Sequence, residues 1–267
     1  MNNQHRLVAN RAIKFFGHIC KYLCYGFHFI FPNKRFRIKP HAKPLWSSTK
    51  PGAIPRTVWL TNYTDQVSLP VYLNYLFNRM LAPSYAFNFM DDDACITYVN
   101  NHFDHRILAV YNQLNDGAAK ADMWRLLVLN HQGGIYLDID AHLIWPLARI
   151  VKNYTALYIA VKQDHDTKYK QHYTNYFLAS TANNPHFSQA IELIIHNVTT
   201  KSISLGVYAL TGPDVLNQAI DGAPVCSIRS RYVCVQGSFT NEHFQYIDKK
   251  MGKWTHTKPE DILKNPQ

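Results

Sequence analysis

Residues 118–144 read AAKADMWRLLVLNHQGGIYLDIDAHLI, and the architecture can be worked outward from them. The first half has helical periodicity and carries Asp122 and Arg125; it stops at Gly133-Gly134, and Ile135-Tyr-Leu-Asp-Ile-Asp140 follows as a strand. Side chains alternate between the faces of a strand, so Tyr136, Asp138 and Asp140 point one way and Ile135, Leu137 and Ile139 the other. Two carboxylates on one face repel unless a cation or a cationic side chain lies between them. Oxygen ligands of this kind suit Mg2+ or Mn2+, which bind through one or two carboxylates together with the phosphates of a substrate. Asp122 and Arg125, three apart on one helix, share a face; taken alone, such a pair is a surface ion pair worth about 0.2–0.5 kcal/mol.

Strand and helix patterns alternate on either side of this segment. Ile54 to Leu60 reads as a first core strand, 66–81 as a helix, and Tyr85 to Met90 as a second strand ending at the acidic turn Asp91-Asp92-Asp93. Helices follow over 94–113 and 116–131; Tyr158 to Val161 and Tyr176 to Ser180 are further strands; His186 to Asn197 and a segment from Leu210 are further helices. This order predicts an α/β domain with one Rossmann-like, mostly parallel sheet flanked by helices. In such sheets ligands sit outside the carboxyl ends of strands, which is where Asp138 and Asp140 fall.

The chain has 267 residues and a formal net charge of +10, but that charge is concentrated. Residues 1–64 hold 11 of the 28 Lys and Arg and no Asp or Glu, whereas the other 203 hold 17 basic and all 18 acidic residues. A basic N-terminal segment on a nearly neutral body argues against a nucleic-acid binder, which spreads Lys and Arg over a face of the folded domain. The five cysteines are an odd number with no CxxC, so a structural zinc is not expected and reduced thiols are.

Residues 1–31 form the expected N-terminal amphipathic helix. Arg11, Lys14, His18, Lys21, Tyr25 and His28 recur three or four apart as one stripe on an otherwise apolar and aromatic surface. That suits a helix lying in a membrane interface better than one spanning it, since Lys14 and Lys21 interrupt the apolar run, and a helix buried against the body or a partner is the third reading. An anionic membrane surface is the expected partner of residues 1–43. The cytoplasmic face is the expected location, with a lumenal, Golgi-type placement as the alternative. Residues 32–52, with four prolines, read as a linker, and 53–267 as the catalytic domain.

The ordered set Asp122-x-x-Arg125 followed by Gly133-Gly-Ile-Tyr-Leu-Asp-Ile-Asp140 resembles the DXD region of glycosyltransferase family 32, the initiation-specific mannosyltransferase-like enzymes. It is also similar to the matching segment of the clostridial toxin glucosyltransferases. Ile54 to Trp59, Tyr85 to Asp92 and Thr211-Gly-Pro-Asp214 extend the resemblance over residues 54–256. It implies a fold of the GT-A type and a metal-dependent transfer that retains anomeric configuration, from a UDP- or GDP-linked sugar to a lipid-linked or saccharide acceptor. By the same resemblance Asp140 binds Mn2+ or Mg2+ directly and Asp138 meets the metal's water shell or the ribose. Asp122 and Arg125 hold donor hydroxyls, Tyr136 lines the pocket, Trp59 lies against the base, and Trp254 forms a pocket wall. Family members place a His in an H-x-x-x-G-S-W-like segment near their end; here the comparable stretch runs from Asp248 to Trp254, so Asp248, His256 or a water is the expected third ligand. A toxin-like enzyme acting on a protein would carry the same motif. A non-enzymatic membrane-surface protein, with Asp138 and Asp140 bridged by Arg125, is the rival from another class.

Overall fold

A computed structural model describes residues 3–48, 52–161, 169–249 and 254–264. Its strands in chain order are β1 (Phe36–Arg37), β2 (His41–Ala42), β3 (Thr57–Thr61), β4 (Gln66–Val67), β5 (Ala86–Met90), β6 (Gly134–Leu137), β7 (Ala141–Leu143), β8 (Ala156–Ala160), β9 (Tyr173–Ser180), β10 (Ser227–Arg229) and β11 (Cys234–Gln236). Seven of them make the central sheet in the order β10-β8-β9-β6-β3-β5-β2. Five run the same way; β9 and the edge strand β2 run against them. The expected α/β class with a mostly parallel sheet is what the chain adopts.

Each face of the sheet buries its own core. Val58, Leu60, Ile135 and Leu137 point to one side, and the alternate residues Trp59 and Tyr136 to the other, as a two-residue period requires. The first helices are α1 (Asn3–Ile30), α2 (Leu69–Leu81), α3 (Asp92–His102), α4 (His105–Gln113) and α5 (Gly117–Gln132). The predicted helix over 94–113 is two, because Asp104 starts the second by accepting a hydrogen bond from the Ile107 amide. In α5 every residue from Asp122 to Leu129 is buried, so this helix is enclosed on all sides. Asp116 caps its start with bonds from the Ala118 and Ala119 amides. Its end needs two glycines: Gly133 and Gly134 have φ of +67° and +107°, and a Cβ on Gly134 would lie 2.7 Å from the Thr57 carbonyl oxygen of the neighbouring strand.

Two expectations of organisation differ from the structure. Residues 32–48 are not a linker: β1 pairs with β4, β2 extends the central sheet beside β5, and Ile38 is fully buried. Two-residue strands have no periodicity to read, and prolines between them gave the segment the look of a tether. The amphipathic helix is present as α1, but the face it turns to the protein is offset from the polar stripe: Arg6, Asn10 and His28 are buried and Lys21 half-buried, while Arg11, Lys14 and His18 are exposed. Asn10 donates to the Arg231 carbonyl at 3.0 Å, Lys21 to the Gly237 carbonyl at 3.0 Å, and the Leu69 amide donates to His28 Nε2 at 3.1 Å. At Gly17 the backbones approach so closely that a Cβ would lie 3.1 Å from Ser238. Among the described residues no helix is long and apolar enough to cross a membrane. All five cysteines are free thiols.

Candidate active site

The strand carrying the two acids ends earlier than its periodicity suggests. β6 stops at Leu137, and residues 138–140 form a turn closed by the Ala141 amide donating to the Asp138 carbonyl at 3.0 Å. The chain then leaves the central sheet as β7, which pairs antiparallel with β11 and sets Gln236 opposite Ala141. The turn keeps both carboxylates together at the carboxyl end of β6. The Gln236 amide nitrogen donates to Asp138 Oδ2 at 3.2 Å and to Asp140 Oδ1 at 3.0 Å.

Arg125 is the centre of the charge network behind them. It is 4% exposed. Its Nη2 lies 3.1 Å from Asp122 Oδ1 and its Nη1 3.2 Å from Asp138 Oδ1. Nη1 also donates to the Asn175 carbonyl at 2.8 Å, and Nε to the Ala121 carbonyl at 3.0 Å. The guanidinium stacks over the Tyr136 ring at 4.4 Å, and the Tyr136 hydroxyl donates to Asp138 Oδ1 at 2.8 Å. Asp122 also accepts from Asn175 Nδ2 at 2.9 Å and from the Thr211 hydroxyl at 3.2 Å. Burial pushes the Asp122 carboxyl up to about 6 despite the opposing pull of Arg125. Burial and the neighbouring Asp138 likewise raise Asp140 above the ordinary carboxylate range.

These side chains line a cleft of about 540 Å³, a size in the range of small-molecule sites. Asp122, Arg125, Tyr136, Asp138 and Asp140 are all on its wall. Three carboxylates against one guanidinium leave an excess of negative charge. The carboxylates on this wall offer hard oxygen ligands, which fit Mg2+ or Mn2+ rather than a softer ion. Lys249 and Lys120 line the same cleft, with Lys249 Nζ 5.4 Å above the Tyr63 ring, so cationic groups also face the space.

Other expected site residues lie elsewhere. Trp59 is in the core: its Nε1 donates to the Gly133 carbonyl at 3.0 Å and its ring meets Tyr98 and Trp124 edge-on, because on β3 it takes the face that α5 covers. Asp248 is not beside the acids as a third ligand; Arg35 grips it at 2.5 and 2.7 Å and holds its carboxyl below the usual range. His256 is largely exposed, its partner Glu242 at 3.7 Å. Among the described residues no third His, Cys, Asp or Glu joins Asp138 and Asp140 in a group that could hold a metal. The role expected of Trp254 falls on a side chain outside those described. Asp91 caps α3 through the Ala94 amide, so the acidic turn is structural at its first residue.

Gln236, Asn175 and Lys249 were not expected, because each reaches the cleft from a segment distant in sequence and none has a motif of its own. A signal for Gln236 existed: it precedes Gly237-Ser238-Phe239, which has the Gly-Ser-aromatic order sought further along the chain.

One buried group beside the turn is without partners. His142, on β7, is fully buried between the Phe77 and Phe239 rings, and neither ring nitrogen has a hydrogen bond. Burial, aided by the nearby Lys14 and His18, lowers it from 6.5 to about 4. The folded chain therefore declines a proton that the unfolded chain accepts. The neutral ring's contribution is intact above pH 6.5 and is lost as pH falls from 6.5 to 4, by up to about 3 kcal/mol. His142→Leu is expected to flatten that part of the acid limb and to raise stability by about 1–3 kcal/mol by removing two unsatisfied nitrogens. Denaturant unfolding at pH 7.5 and 5 checks this; equal pH slopes for the two proteins would refute it.

Comparison with known proteins finds similarity over part of the chain. Residues 70–157 match the family described as the glycosyltransferase sugar-binding region containing DXD motif. Over 85 residues the chain is 33% identical to an uncharacterised glycosyltransferase of Acanthamoeba polyphaga mimivirus; the match covers 31% of this chain and only 33% of that protein. The fold is similar to the solved PaToxG glycosyltransferase, with a TM-score of 0.50 and 18% identity over 81% of this chain and 79% of that one. The stretch that holds Asp122, Arg125, Asp138 and Asp140 is thus the part of the chain that is similar to the DXD sugar-binding region of glycosyltransferases.

Proposed function

We propose that this chain transfers a hexose from a UDP- or GDP-linked sugar to an acceptor hydroxyl, with Mn2+ or Mg2+ at Asp138 and Asp140. The observation that carries this is the pair of carboxylates drawn together by one Gln236 amide on the wall of an open cleft. In the reaction the bond between the sugar's anomeric carbon and the diphosphate oxygen breaks. The acceptor oxygen takes that carbon and gives up its proton, and a nucleoside diphosphate leaves. A divalent ion at the two acids supplies charge for the leaving oxygens. The protein's own residues do the rest. Arg125 and Tyr136 fix Asp138 in place, and Asn175 and Thr211 fix Asp122 on the same wall. Lys249 and Lys120 add positive charge where a diphosphate would lie. Retention of configuration, implied by the family resemblance, would appear as an unchanged anomer in the product.

The test is nucleotide release from UDP-glucose, UDP-galactose, UDP-N-acetylglucosamine and GDP-mannose, with and without Mn2+. Slow hydrolysis of one donor that EDTA abolishes and Mn2+ restores is expected. Release at the same rate in EDTA, or no release from any donor by a protein that binds no Mn2+, would overturn the proposal.

A further inference from the structure

α1 inverts the usual arrangement of a surface helix, which turns its apolar face to the core and its polar face to solvent. Arg6, Asn10, Lys21 and His28 turn inward, each with one polar atom bonded to the protein's backbone. Val8, Phe15, Tyr22 and Phe29 recur every seven residues on the opposite face, with Leu23 and Ile30 beside them. Phe15, Tyr22 and Leu23 are about seven-tenths exposed (71, 70 and 71%), and Phe29 is 89% exposed. The helix cannot turn over to hide them, because its other face is bonded to the body and Gly17 sits in backbone contact with Ser238.

We infer that this outer face of α1 docks in the plane of an anionic membrane. Charge selects that occupant. Arg11, Lys14, Lys34 and Lys39 are exposed on α1 and just after it, and residues 1–64 contain no acid. A second copy seated on the same face would oppose cation to cation, whereas acidic headgroups neutralise the rim while aromatic rings enter the headgroup boundary. The helix also touches the wall of the cleft. Lys21 holds the Gly237 carbonyl and Tyr25 accepts from Asn241, and both Gly237 and Asn241 line the cleft. Docking would bring that wall to the lipid surface and favour a lipid-linked acceptor. That last step rests on the transfer function proposed above; the docking itself does not.

The experiment is sedimentation of the full chain with vesicles of phosphatidylcholine alone, or of phosphatidylcholine with phosphatidylserine. Wild type is compared with the double variant Phe15→Glu/Leu23→Glu. Wild type is expected to bind the anionic vesicles at least ten times better than the double variant and to release in high salt. Both substitutions fall on exposed positions, so melting temperature and donor hydrolysis in solution should not change. Equal vesicle binding by the two proteins overturns the inference. So does a wild type that ignores vesicles and elutes as a dimer which the double variant dissociates, since a second copy would then cover the face. Vesicle binding reads docking and nucleotide release reads chemistry, so one can fail without the other.

Discussion

Arg125→Met is expected to destabilise the protein by about 3–5 kcal/mol at pH 8, the cost of leaving buried carboxylates without their cation. Methionine keeps the stem's packing but removes the charge that sits 3.1 Å from Asp122 and 3.2 Å from Asp138. The loss should depend on pH in a definite sense. Asp122 is already pushed up to about 6 by burial with Arg125 present, and without Arg125 it would rise further. A carboxyl raised in the folded state weakens folding above its pKa and stops doing so once protonated, so the penalty should shrink between pH 8 and pH 5. Arg125→Met/Asp122→Asn should recover part of the loss at pH 8. Denaturant titrations at both pH values measure this. A single variant as stable as wild type, or a penalty of the same size at both, would show that Arg125 does not hold the network together.

Asp140→Asn is the opposite kind of change. It is expected to lower metal-dependent donor hydrolysis by about 10²–10³-fold, the scale seen when one group stabilising developing charge is removed, and to weaken Mn2+ binding measured by calorimetry. Stability should hold or rise, because the carboxyl removed is one whose charge burial and Asp138 disfavour. In the unaltered protein, Mn2+ affinity should fall as the pH is lowered through the raised pKa of Asp140, since a protonated acid is a poor ligand. An Asp140→Asn protein that melts like wild type and hydrolyses donor at the wild-type rate would remove the acid from the reaction.

Periodic segments revealed themselves in the sequence. The strand at Thr57–Thr61, the strand at Ala86–Met90 and the enclosed helix α5 all lie within a few residues of where the apolar pattern puts them. The motif likewise placed Asp122, Arg125, Tyr136, Asp138 and Asp140 together, and all five share one cleft. Periodicity failed where contacts outvote it. Alternation through Asp140 predicted an unbroken strand, but a turn at 138–140 diverts the chain to pair with β11. Trp59 was placed by analogy on the base, although its β3 position turns it under α5. The residues that tie the acids down, Gln236 and Asn175, come from strands brought alongside only by folding. The polar stripe of α1 is legible in the spacing, but the face that meets the body is offset from it and includes Arg6, Asn10 and Gly17, which spacing alone does not single out.

Shortening the protein to begin after Ile30, the obvious remedy for a greasy leader that clogs purification, would strip away more than a tether. The carbonyls of Arg231 and Gly237 and the amide of Leu69 would lose the side chains that satisfy them, and the ring of Phe239 that shields His142 would lose the backbone laid across it at Gly17. The leader is a buttress glued on by its hydrophilic side, so detergent is a gentler remedy than the scissors.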